Sequence, residues 1–134
     1  MIVLRSHEVV INGSEDVIRV RQAVRACAVE LGFSLVGQTK IVTAASELAR
    51  NTLVYGLGGT ALIEMVRNEQ RSGIRIVFTD NGPGIPDIDQ AMTDGYSTGG
   101  GLGLGLGGAK RLANEFEIIS NPDRGTRVII GRWV

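Results

Sequence analysis

The chain has one cysteine, Cys27, and one histidine, His7. A lone cysteine excludes an internal disulfide and a cluster of thiolate metal ligands, and it fits a reducing compartment. Aromatic residues make up only 4% of the 134 residues while hydrophobic residues make up 43%, so the core has to be built from Val, Ile, Leu and Ala rather than from rings. Neither sign of charge is in excess. Fourteen basic residues meet fourteen acidic ones, which removes the overall electrostatic case for nucleic acid or an anionic membrane as a partner. No run approaches the roughly twenty apolar residues needed to span a bilayer. The first residues, MIVLRSHEVV, carry Arg5, His7 and Glu8 where a secretion signal needs an apolar stretch and a small-residue cleavage site. The expectation is a cytoplasmic protein, folded as one domain over residues 1–134.

Glycine is abundant and unevenly spread: ten of the nineteen glycines fall between Gly82 and Gly108. Around that segment the periodicities are clear. MIVLRSHEVVI reads as a strand closed by the turn pair Asn12-Gly13. Ser14 then reads as an N-cap, with Glu15 and Asp16 in a first helical turn that favours negative charge. Val17, Val20, Val24, Cys27, Ala28 and Leu31 form one apolar stripe that stops before Gly32. A second helix is expected from Val36 or Gln38 to Tyr55, with Ile41, Ala45, Leu48 and Thr52 on one face and Gly56 as its stop. ALIEMVRN and IRIVFTD, either side of EQRSG, read as a hairpin, and DIDQAM inside the Gly-rich segment as a short helical piece. GAKRLANEF has helical character, and EIISN with TRVIIGRWV makes a closing hairpin around PDRG. Hairpins imply antiparallel pairs, and three helices suit one face of the sheet. The expected fold is an α/β (α+β) two-layer sandwich with a mostly antiparallel mixed sheet.

Three stretches can carry chemistry. In SELARN, Glu47 and Asn51 lie one turn apart on the second helix, about 40° from each other around its axis and away from the Ile41/Ala45/Leu48 stripe. An amide oxygen suits Mg²⁺, and a carboxylate beside it can take a proton from an attacking hydroxyl or water. Alone, the same pattern also describes two solvated residues on a helix surface. In DNGPGIP, Asp80 ends an apolar strand; an ionised carboxylate accepts the exocyclic amine of adenine and repels the carbonyl oxygen guanine has there. Gly82 and Gly84 let a flat base approach the backbone, although a strand-ending turn has the same composition. GGGLGLGLGG, from Gly99 to Gly108, offers backbone N–H groups to phosphate ahead of a helix, with Lys110 as added charge. Gly103, Gly105 and Gly108 also match G-x-G-x-x-G, but DGYSTGG is no buried strand leading into a dinucleotide fold, and neither lysine follows a glycine as a Walker loop requires. His7 and Cys27 read as structural, and Trp133 as a strand-end packing residue.

Taken in order, the helical E-x-x-x-N, the D-x-G-x-G after a strand, the Gly-rich segment before a helix and the late GT pair resemble the Bergerat ATP-binding fold of gyrase and the histidine kinases. Within it, ELGF, SELARN, GPGIPDI, DGYSTGGGLGLGL and KRLANEF are similar to the small serine/threonine protein kinases of bacterial sigma-factor control, the stressosome switch kinases above all. The resemblance implies ATP and Mg²⁺ as ligands. It implies Glu47 as the general base, Asn51 as the Mg²⁺ ligand, Asp80 for adenine N6 with Gly82 and Gly84 beneath the base, Thr126 supporting that contact through its hydroxyl, and the backbone of a lid at Gly101, Gly103 and Gly105 on the phosphates. The implied substrate is a Ser or Thr of a STAS-domain partner, after which the kinase is released to a PP2C-type phosphatase or another output protein. Two other functions remain open: an anti-sigma factor that also binds a sigma subunit, and a nucleotide-gated binding module with little kinase activity.

Overall fold

The computed structural model describes residues 1–85, 92, 105–121 and 123–134. Its elements are β1 (Ile2–Ile11), α1 (Ser14–Leu31), α2 (Leu35–Val54), β2 (Gly59–Asn68), β3 (Arg71–Asp80), α3 (Gly105–Leu112), β4 (Glu115–Asn121) and β5 (Gly125–Trp133). The strands form one sheet in the order β1-β2-β3-β5-β4, and every ladder among the described residues is antiparallel. The helices cover one face of it, giving the two expected layers.

Register explains why the core closes. Ile63 on β2 pairs with Ile76 on β3, which pairs with Ile130 on β5, while one step along Ala61, Phe78 and Val128 form a parallel row. Because side chains alternate across a strand, both rows face the helices. There they meet Val20, Val24 and Ala28 of α1 and Ile41, Ala45 and Leu48 of α2, all essentially removed from solvent. The opposite face is finished by polar contacts. Arg75 and Glu64 form an ion pair at 2.8 Å, Arg71 lies over the Trp133 ring at 5.6 Å, and the Trp133 indole donates to Glu115.

Local chemistry moves several boundaries from their expected places. Gly13, not Ser14, is the N-cap of α1, and the Asp16 carboxylate reaches back to accept from the N–H groups of Asn12 and Gly13 at 2.8 and 3.0 Å. Helix α2 is capped by Ser34, whose hydroxyl accepts from Gly37 N–H. The β2–β3 connection is tighter than the EQRSG loop, because Arg71 and Ser72 continue the ladder opposite Asn68 and Arg67, with Glu69 at a φ of 54° in the turn. Helix α3 stops at Leu112 rather than running on to Phe116, since Glu115 and Phe116 pair with Gly131 and Ile130. Its last carbonyl accepts from the Arg132 guanidinium at 3.1 Å. The short helix expected at DIDQAM lies outside the described residues apart from Met92, which packs against the core. No helix among the described residues is long and apolar enough to cross a membrane.

Candidate functional site

Strand alternation places Asp80. It follows Ile74, Ile76 and Phe78 at even steps on β3, so its carboxylate turns toward the helix layer rather than toward solvent, and the residue is 8% exposed. Opposite it in the ladder is Gly59, which brings no side chain into the space. One carboxylate oxygen, Oδ1, accepts from Gly82 N–H at 2.9 Å and from Thr126 N–H at 3.3 Å. These bonds tie the end of β3 to the following turn and to the start of β5.

Glycines pack closely around this carboxylate. A Cβ at Gly56, just past the end of α2, would collide with the Asp80 carboxyl group, and a Cβ at Gly82 would come within 2.8 Å of the Gly56 backbone. Gly125 has a φ of 90° and stands against the Asp80 carbonyl, so both its conformation and its contact exclude a side chain. Gly84, at a φ of 81°, packs on the Asn121 carbonyl. Three separate parts of the chain thus meet around one carboxylate with no side chain between them.

Asp80, Gly82, Gly84 and Thr126, expected to act together, are brought together. The backbone N–H of Thr126 bonds Asp80, while its hydroxyl, expected to support an adenine contact, lies 2.9 Å from the Ser120 hydroxyl. Ser120 also accepts from Ile85 N–H at 2.7 Å.

Helix α2 supplies the second group. Glu47 is buried and Asn51 half-buried on the stretch that ends at Gly56, and the Asn51 carbonyl accepts from the N–H groups of Tyr55 and Gly56 at 2.9 and 3.1 Å. Gly56 therefore joins the two groups: it is bonded to Asn51 and packed on Asp80. The side chains of Glu47 and Asn51 offer a carboxylate and an amide oxygen, a donor set suited to a hard cation that takes its other ligands from phosphate and water.

Of the three lid glycines, Gly101 and Gly103 lie outside the described residues, and Gly105 opens α3 at a φ of 51°. Leu106, Gly107, Gly108 and Ala109 are buried, and the small residues let α3 pack closely on α2. Lys110 stands in the last turn of this helix with Arg111, where positive charge complements the carbonyl end. Sequence reasoning missed Gly56, Ser120 and Gly125 as parts of the site. Gly125 was visible as half of the GT pair, and Gly56 was read only as a helix stop.

Comparison with known proteins agrees with this geometry. The family described as histidine kinase-, DNA gyrase B-, and HSP90-like ATPase matches residues 37–133, from the start of α2 to the end of β5. The chain is 47% identical over 119 residues to the serine/threonine-protein kinase RsbT of Bacillus subtilis (strain 168), covering 89% of this chain and 90% of that one. It is 30% identical over 115 residues to the anti-sigma F factor of Clostridium novyi (strain NT), covering 82% and 80%. Among solved structures, the RsbU and RsbW domains of a Mycobacterium tuberculosis protein superpose with a TM-score of 0.67 at 18% identity, over 96% of this chain and 32% of that longer one. That likeness concerns the fold.

Proposed function

The chain belongs to the histidine kinase-, DNA gyrase B- and HSP90-like ATPase family, and we propose that within it the protein is an ATP-dependent serine/threonine kinase of a bacterial partner-switching pathway, acting on a STAS-domain protein. The observation that carries this reading is Asp80: a buried carboxylate with Oδ1 held by Gly82 and Thr126 N–H groups and packed against Gly56, just past the end of the helix that bears Glu47 and Asn51.

The residues fit ATP and Mg²⁺ as ligands. Asp80, an acceptor only, complements the adenine amine and opposes a guanine carbonyl. Asn51 provides the hard oxygen for the metal, which neutralises charge on the phosphate oxygens when bound. The backbone near Gly101, Gly103 and Gly105 would hold the phosphates. Glu47 accepts the proton of the partner's Ser or Thr hydroxyl as that oxygen bonds to the γ-phosphorus and the bond to ADP breaks. Positioning and charge neutralisation supply most of the catalysis, as is general for phosphoryl transfer.

In this reading residues 1–134 work as one cytoplasmic domain, and phosphorylation of the partner releases the kinase to bind a PP2C-type phosphatase or another output protein. The same chemistry suits an anti-sigma factor that phosphorylates its antagonist, and the likeness to anti-sigma F factors keeps that role as the second reading. The higher identity to a kinase named for Ser/Thr phosphorylation favours the first. The deciding experiment incubates the pure protein with Mg²⁺ and γ-labelled ATP, in turn with STAS-domain proteins and with sigma subunits. Label on a STAS protein without stable sigma binding supports the switch kinase. ATP binding without label on any partner supports a nucleotide-gated binding module instead.

A further inference from the structure

Helix α1 has a second stripe. Its buried side runs through Val20, Val24 and Ala28, while on the opposite side Ile18, Gln22, Arg25 and Val29 follow one another at spacings of four, three and four, with Arg21 beside them. All of these are exposed, Ile18 at 51% and Val29 at 58%. Alternating steps of three and four residues are the spacing at which one helix meets another along its length. Nothing among the described residues fills that role. The packing of the helix layer runs from α1 to α2 and the sheet, and from α2 to α3.

Charge decides what fits. In a chain with as many basic as acidic residues, α1 has no acid between Asp16 and Glu30, and those two are paired with Arg19 and Arg5. Neither Arg21 nor Arg25 has an ion-pair partner among the described residues. On the neighbouring α2 the charged residues other than the buried Glu47 are Lys40 and Arg50. The middle of the stripe is therefore cationic and its ends, at Ile18 and Val29, are apolar. A second copy packed along the same stripe would crowd the arginines of both chains about the midpoint, where like charges oppose one another. Nucleic acid would set Glu15 and Glu30, near the two ends of the helix, against phosphate.

We infer that the outward face of α1 is the docking surface for the output protein, and that it takes a helix with apolar residues at the ends of the contact and carboxylates between them. Arg21 and Arg25 would grip those carboxylates, since a guanidinium matches a carboxylate with two parallel hydrogen bonds. This rests on the reading of the chain as a kinase that is released to a PP2C-type phosphatase. A substrate has to bring its hydroxyl to Glu47. A partner that is bound and not phosphorylated has no such need, and a face that carries none of the transfer residues suits it: Glu47 and Asn51 stand on α2 and Asp80 on β3. The protein then phosphorylates with one surface and activates with another.

The test measures binding of the pure protein to PP2C-type phosphatases from the same genome, alongside ATP affinity and phosphate transfer to STAS-domain proteins. Arg21→Glu/Arg25→Glu should weaken phosphatase binding at least about tenfold, while ATP affinity and transfer stay within about twofold of the wild type. Raising the salt concentration should weaken phosphatase binding by the wild type and hardly change that of the variant. Ile18→Ala/Val29→Ala, which leaves the charges in place, should weaken binding and keep its salt dependence. Arg21→Gln/Arg25→Gln replaces the charge-reversed variant if that does not fold, with the same expectations. A folded arginine variant that binds the phosphatase as the wild type does overturns the inference and leaves the kinase reading intact. Loss of phosphatase binding and STAS transfer together, with ATP affinity kept, also overturns it, because the face then serves the substrate. So does retention of duplex DNA in place of the phosphatase. If the wild type labels a STAS protein and binds no phosphatase, the output role fails and the assignment of α1 falls with it. If it labels no STAS protein, the kinase reading itself fails.

Discussion

Asp16 and Asp80 are buried almost equally, at 7% and 8% exposure, yet their carboxylates are employed differently. Asp16 uses both oxygens within the fold: Oδ2 takes the N–H groups of Asn12 and Gly13, and Oδ1 pairs with Arg19 at 3.1 Å. Those partners, the Asn12 N–H foremost, hold its carboxyl below the usual carboxylate range against the opposing effect of burial. For Asp80 the described bonds fall on Oδ1 alone, and the side of the group near Oδ2 faces Gly56, which has nothing to donate from a side chain. A carboxylate satisfied at both oxygens closes a turn and caps a helix. Asp80, whose described bonds fall on one oxygen, instead ties the end of β3 to the following turn and to the start of β5. Burial alone does not distinguish the two; the distribution of partners over the oxygens does.

Four perturbations sharpen or break this contrast. The largest effect is expected at the neighbouring group, where Glu47→Ala should lower phosphoryl transfer by about 10²–10⁴-fold and leave ATP affinity within about twofold, because a base acts on the hydroxyl and not on nucleotide binding. Parallel calorimetry and labelled-phosphate transfer measure both quantities, and transfer at the wild-type rate would remove Glu47 from the mechanism. Next is Gly125→Ala, which meets both a left-handed φ of 90° and the Asp80 carbonyl; a loss of about 2–4 kcal/mol in denaturant-induced unfolding is expected. Gly56→Ala should act more selectively. It displaces the Asp80 carboxyl group, so ATP binding should weaken about tenfold, the equivalent of one charge-assisted hydrogen bond, while the fold persists. An alanine there with wild-type affinity would show that the orientation of Asp80 is immaterial.

The smallest effect lies at the other aspartate. Because the folded-state pKa of Asp16 is lowered, its contribution to stability is full above the usual carboxylate value and is lost as pH falls through the lowered one. Asp16→Asn should therefore lower the thermal midpoint at neutral pH and flatten its decline in acid, with ATP affinity unchanged. A midpoint that keeps the wild-type pH profile would contradict the capping role.

The same contrast shows what a reader of the sequence can and cannot see. Alternation in β2, β3 and β5 and the Val20/Val24/Ala28 stripe of α1 are local patterns, and they fold as their periods require. The position of Asp80 at a strand end was legible with Gly82 and Gly84, since turn glycines adjoin it in the chain. Gly56 was not, because the reason for it is a contact with a residue twenty-four positions away, and a glycine after a helix has an ordinary local explanation. Helix α3 was overextended for a similar reason. Lys110, Arg111, Leu112 and Ala113 are good helix formers, but the pairing of Glu115 and Phe116 with β5 overrides that propensity. Ser120 was predictable as a strand residue, but nothing local announces Ile85 and Thr126 as its hydrogen-bonding neighbours.

The most direct test of the central claim compares the ATP affinities of Asp80→Asn and Asp16→Asn in the presence of Mg²⁺, each checked for a folded sheet by circular dichroism. The account predicts at least about a tenfold loss for Asp80→Asn, whose amide cannot replace a charged acceptor for the adenine amine, and wild-type affinity for Asp16→Asn. Equal affinities in the two folded variants would contradict it.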